Sequence, residues 1–123
     1  MGKYDLYIDS WRKKLAQERS ALKKRAEEMR KIAAQCADLL AMRYGVKRVY
    51  LFGSLLKNRF VHDRSDIDLA VEGLPSLVYF SASADVWDIA SPDITIDLVP
   101  LEDAYSELRD YILKEGELLY ERK

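Results

Sequence analysis

Two aspartates, Asp66 and Asp68, stand one residue apart in the stretch SDIDLAVEG, and a third, Asp97, lies in ITIDLVP. Both stretches read as strands, short and β-branched, closed by Gly73 and Pro100. Strands with a buried face usually avoid Asp, because an unpaired buried carboxylate is costly. Period-two geometry puts Asp66 and Asp68 on one face and Ile67, Leu69 and Val71 on the other. Asp97 sits between Ile96 and Leu98, so it too faces away from its aliphatic neighbours. If the two strands are neighbours in register, three carboxylates converge. Such a cluster repels itself and raises its own pKa values. A hard divalent cation makes it useful. Mg²⁺ takes oxygen ligands and shares them with substrate phosphates. A pair of ions can hold a nucleophile and a leaving phosphate oxygen together.

Gly53-Ser54 supplies the other half of the chemistry. A glycine straight after a strand lets the chain turn tightly and approach a ligand. If a helical turn starts at Ser54, its free N–H groups and dipole favour a phosphate. Lys57, Arg59 and Arg64 in the following loop can add charge-assisted contacts to a triphosphate. Each piece alone has a bland reading: a turn, a surface pair of acids, an acid at a sheet edge. Their order along the chain points to a phosphate and metal site.

The elements that must position these residues follow from periodicity. No Gly or Pro occurs from Ser10 to Tyr44, which predicts one long helix with Ser10 as N-cap and Gly45 as its stop. Met29, Ile32, Ala33, Cys36, Leu39 and Leu40 form its apolar stripe, at spacings of three and four. Such a helix would reach roughly 50 Å, whereas a domain of this size is about 30 Å across. Its front half must therefore kink, overhang or meet another chain, and an overhang that meets a partner is the expectation. Arg48–Phe52 reads as a strand ending at Gly53. A second strand runs through SDIDLAVEG, a helix over 76–90, a third strand through ITIDLVP, a helix over 102–114 stopped by Gly116, and a short strand or tail over 117–121. Strands alternating with helices predict a mixed α/β (α+β) class with a small mixed sheet. The expected organisation is a single domain over 1–123, with a helical extension over 1–44 and a core over 46–121.

Composition bounds the rest. The chain has 123 residues, 33% of them charged, and one cysteine. No apolar run approaches the roughly 20 residues that cross a bilayer. The N-terminus lacks an apolar signal region, so the expected location is cytoplasmic. The net charge of −1 hides an asymmetry, with ten basic and five acidic residues between Lys3 and Lys31. That stretch is either a solvated helix face or a contact surface for an acidic partner, protein or nucleic acid. His62 is expected in solvent, and Cys36 in the core as a small apolar residue. Trp11 either anchors a partner or folds back on the domain. Trp87 is expected to face the core, and Tyr105, Tyr111 and Tyr120 to pack the C-terminal helix and tail.

The residues from Gly53 to Asp68 resemble the signature of the polymerase-β-type nucleotidyltransferase superfamily, specifically its minimal nucleotidyltransferases. That signature is a Gly-Ser, a spacer and Asp-x-Asp. Here Gly53-Ser54 is followed by eleven residues and Asp66-Ile67-Asp68. Asp97 matches the family's third metal-binding acid, and the resemblance covers residues 46–121. It implies two Mg²⁺ ions held by Asp66, Asp68 and Asp97, with Asp97 also helping to activate an attacking hydroxyl. It implies ATP as substrate, with Gly53, Ser54, Lys57, Arg59 and Ser65 around its phosphates. Many stand-alone members resemble the antitoxin of HEPN/MNT toxin–antitoxin pairs, which transfers AMP to a tyrosine of a HEPN ribonuclease toxin. The implied partner is therefore a HEPN toxin, possible as an oligomer with it, with direct nucleic-acid binding and membranes not expected. Two departures stand out: the spacer is one residue longer than usual, and Lys57-Asn58 replaces a basic residue followed by Gly. They leave a second reading, an antitoxin that catalyses weakly or not at all and acts by covering its toxin.

Overall fold

The computed structural model describes residues 3–53, 65–90 and 92–123. Helix α1 spans Lys3–Tyr44, and strand β1 spans Arg48–Phe52. Strand β2 spans Ser65–Glu72, helix α2 Tyr79–Ile89, strand β3 Ile94–Pro100, helix α3 Ser106–Glu115 and strand β4 Glu117–Glu121. The class is mixed α and β, with one four-stranded sheet in the order β3-β2-β1-β4. β1 is antiparallel to both its neighbours, whereas β2 and β3 run parallel. The α2 segment makes the long crossover that a parallel pair requires.

The sheet buries both faces unequally. Val49, Leu51, Ile67, Leu69, Val71, Ile96 and Leu98 pack with Met29, Ala33, Cys36 and Leu40 of α1 and with Ala82 and Val86 of α2. Each fully buried aliphatic side chain here contributes about 1.5–3 kcal/mol. On the opposite face Phe52, Ala70, Leu101 and Ile112 form a smaller cluster, with Tyr50, Val99, Leu108 and Tyr111 against it. This second cluster covers only part of the face. Asp66 and Asp97 remain exposed on it.

Ion pairs tie α1 down along its second half. Arg25 pairs with Asp93, Arg30 with Glu117 at 2.8 Å, and Arg43 with Asp85 at 3.1 Å. The Tyr44 hydroxyl donates to Asp85 as well, and this bond and Arg43 hold the Asp85 carboxyl below its usual range. Arg48 bridges Glu72 and Glu121 across three strands. Along the first half of α1, residues 4–24 are all exposed. At 42 residues the helix is about 63 Å long, so its front overhangs the domain, as its length demanded.

Some boundaries differ from expectation. Ser10 is not an N-cap, because the helix already begins at Lys3 and Ser10 lies inside it. The segment 76–90 divides into a 3-10 turn at Ser76–Val78 and then α2. The segment 102–114 divides in the same way. A 3-10 turn at Leu101–Asp103 ends at Ala104, which is extended, and Tyr105, also extended, precedes α3. Tyr105 is exposed, not packed, while Tyr111 and Tyr120 are half-buried as expected. Trp11 stays exposed on the overhang and does not fold back.

Trp87 is the larger correction. It is 60% exposed, and its indole N–H donates to the Ile96 carbonyl at 2.7 Å. The Tyr79 hydroxyl donates to the Leu98 carbonyl at 2.8 Å. Both carbonyls belong to β3, the outer strand. Capping them blunts an edge that would otherwise recruit another strand. Tyr79→Phe removes one cap and little else. It is expected to lower unfolding stability by about 1 kcal/mol in denaturant melts; an unchanged midpoint would show that the cap contributes nothing.

Candidate active site

The site starts from strand pairing. β2 and β3 align so that Asp68 lies opposite Asp97 and Asp66 opposite Thr95. Burial alternates along β3, with Ile94, Ile96 and Leu98 inside and Thr95 and Asp97 outside. On β2, Ile67 and Leu69 are fully buried, Asp66 is exposed and Asp68 half-buried. The three carboxylates therefore share one face of two adjacent strands.

Their proximity shows in the electrostatics. The Asp68 carboxyl is pushed up from 3.8 to about 6, chiefly by burial, then by the charges of Asp97 and Asp66, with a hydrogen bond to Asp97 adding to it. Each of these influences raises the value and none lowers it. A cation would reverse that balance. The donor set is all carboxylate oxygen, which suits Mg²⁺ rather than a thiophilic metal. Among the described residues no group of three His, Cys, Asp or Glu is placed to hold a metal ion by itself. Mg²⁺ commonly takes one or two carboxylates and completes its shell with water and substrate phosphate, and the Asp68–Asp97 pair fits that pattern.

Gly53 serves this centre in a way the sequence did not disclose. Its φ is +85°, and a Cβ added there would collide with the Asp68 carboxylate, 3.2 Å from its Cγ. β1 ends beside Asp68, since Phe52 is that residue's partner in register. So the close approach that needs glycine is that of Asp68's own side chain. Thr95 was also missed. It lies on the acids' face opposite Asp66, and a count of two back from Asp97 would have found it.

The rest of the expected set is divided. Ser65 begins β2. Ser54, Lys57, Arg59, Arg64 and His62 lie outside the described residues. Cys36 is fully buried, and burial pushes its thiol up to about 12, which rules it out as a nucleophile at neutral pH.

The family model described as polymerase beta nucleotidyltransferase matches residues 34–123. The chain belongs to the polymerase-β nucleotidyltransferase family. It is thus a nucleotidyltransferase in class, and the match begins within the packed half of α1, after the exposed overhang. Solved structures agree with the fold. A toxin–antitoxin with AMP-PNP is 24% identical with a TM-score of 0.60, covering 73% of this chain and 74% of its own. A mutant form of an MntA toxin–antitoxin complex is 21% identical with a TM-score of 0.54, covering 80% and 74%. A nucleotidyltransferase structure from Sulfolobus solfataricus is 20% identical with a TM-score of 0.53, covering 82% and 87%. No curated protein matches the chain.

Two substitutions test the geometry. Asp68 binds its proton more tightly folded than unfolded. Its contribution to stability is therefore full below about 4 and lost as pH rises through about 6. In EDTA, Asp68→Asn is expected to raise the melting temperature above pH 7, with the gain vanishing as pH falls below 4. A variant melting lower at every pH would contradict this. Gly53→Ala must strain a positive φ and displace Asp68, and should cost about 1–3 kcal/mol in a thermal melt.

Proposed function

We propose that this chain transfers AMP from ATP to a tyrosine hydroxyl of a partner HEPN ribonuclease toxin, acting as its antitoxin. The observation that carries the reading is the register of β2 and β3, which sets Asp68 against Asp97 with Asp66 on the same face. Family membership supports nucleotidyl transfer as the reaction. The likeness to a toxin–antitoxin bound to AMP-PNP supports ATP as donor and a toxin as partner.

Asp66, Asp68 and Asp97 would hold Mg²⁺, which when bound offsets the triphosphate's charge and polarises the α-phosphate. Gly53, Ser54, Lys57, Arg59 and Ser65 form the phosphate-contacting set. Asp97, the more exposed member of the facing pair, orients the acceptor hydroxyl and takes its proton. The hydroxyl oxygen bonds to the α-phosphorus, the bond to the bridging oxygen breaks, and pyrophosphate leaves. Orientation is the main contribution of the protein, because a misplacement of about 1 Å can cost about 10²-fold in rate.

One observation favours the binding-only reading: the loop after Gly53-Ser54 departs from the family pattern, with eleven residues before Asp66 and Lys57-Asn58 in place of a basic residue followed by Gly. That reading expects Asp68→Asn to neutralise the toxin undiminished.

The test incubates the chain with labelled ATP, Mg²⁺ and the product of the adjacent gene, which the proposal expects to be a HEPN protein. Label should appear on a tyrosine of the HEPN protein. Asp66→Asn and Asp97→Asn should each cut the transfer by at least about 10²-fold, with circular dichroism unchanged. Folded wild-type chain and partner that exchange no label would overturn the proposal.

A further inference from the structure

The overhang of α1 carries a pattern that the catalytic reading does not use. Tyr4, Ile8, Trp11 and Leu15 follow one another at spacings of four, three and four, so they form one stripe along the helix. All four are between 45% and 77% exposed. The stripe runs in phase with the core. Ile8, Leu15, Leu22, Met29 and Cys36 fall at intervals of seven, and the last two are fully buried. A seven-residue apolar repeat is the geometry of a helix that packs along another helix. Lys14 lies over the Trp11 ring at 5.4 Å, and the exposed stripe of Trp, Tyr, Ile and Leu is an interaction surface.

We infer that residues 4–15 pair antiparallel with the same residues of a second copy of this chain. The spacing four-three-four reads the same in reverse. A two-fold axis between Ile8 and Trp11 therefore sets Ile8 against Trp11 of the second copy, and Tyr4 against Leu15. Every layer of that seam is apolar. Glu18, which interrupts the stripe, falls beyond its end.

Charge selects both the occupant and the direction. Asp5 and Asp9 occupy the front of the helix, and Arg12, Lys13 and Lys14 follow. Antiparallel pairing brings the acids of each helix beside the bases of the other. Parallel pairing would stack three bases on three bases. A uniformly acidic partner would meet Asp5 and Asp9 with like charge. An arm of the same composition, reversed, satisfies both halves. The seam is short, about 18 Å, and buries less than the roughly 1,200 Å² of a standard interface. The dimer is thus reversible, with dissociation in the micromolar range.

Sedimentation equilibrium of the full chain over the micromolar range tests this. A reversible monomer–dimer equilibrium is expected. Trp11→Glu should render the chain monomeric throughout, with helicity and melting temperature of the domain retained. Asp5→Lys and Arg12→Glu should each weaken the dimer about threefold to tenfold, as exposed ion pairs do. The two combined should restore it, which a merely structural role would not produce. A wild-type chain that remains monomeric, its arm reserved for an unlike partner, would overturn the inference. So would a dimer that survives Trp11→Glu, or a double reversal that fails to recover association.

Discussion

Two parallel strands hold Asp68 and Asp97 at the same level of the sheet, and the acids do not set that register themselves. It is set on the opposite face. Ile67 and Leu69 of β2, with Ile96 and Leu98 of β3, are buried against α1 and α2. A slip of one residue in either strand would turn those side chains outward and bury a carboxylate in their place. Several aliphatic side chains at about 1.5–3 kcal/mol each outweigh the mutual repulsion of the acids. The apolar layer therefore compels an arrangement that the carboxylates alone would avoid. This is how a fold stores the unfavourable electrostatics that a cation-assisted reaction can use.

The remaining elements follow from that layer. The second half of α1 covers it and is pinned by Arg30 and Arg43. α2 covers the β3 side and caps two of that strand's carbonyls with Tyr79 and Trp87. β4 closes the other side of β1. The small cluster around Ile112 covers part of the acids' face and leaves Asp66 and Asp97 open to solvent. Gly53 completes the centre by making room for the Asp68 carboxylate.

Much of this was legible in the sequence. The strands at Arg48–Phe52 and Ile94–Pro100 appear where the alternation and the Gly and Pro boundaries put them. Period-two geometry put each of the three acids on the face away from its aliphatic neighbours, and the pairing of β2 with β3, which the sequence left as a condition, brings them together. What escaped depended on contacts between distant segments. Trp87 looked like a core residue because its size suggests one, yet its partner is a carbonyl on another element, which no local pattern encodes. The room that Gly53 makes for the Asp68 carboxylate escaped because nothing near Gly53 in sequence shows that Asp68 lies over it. Ser10 looked like a cap because helix starts are marked by side chains that also occur inside helices. Tyr4, Leu6, Tyr7 and Ile8 carry the helix on to Lys3.

The central claim is that the facing carboxylates form one cation-binding centre shared with a nucleotide. Carboxyl carbon NMR of the aspartates, titrated against pH with and without Mg²⁺ and a non-hydrolysable ATP analogue, tests it most directly. The account expects Asp68 to titrate near 6 in the free chain and to fall by more than about one unit once both are added. An Asp68 resonance whose titration ignores Mg²⁺ and nucleotide alike would contradict it.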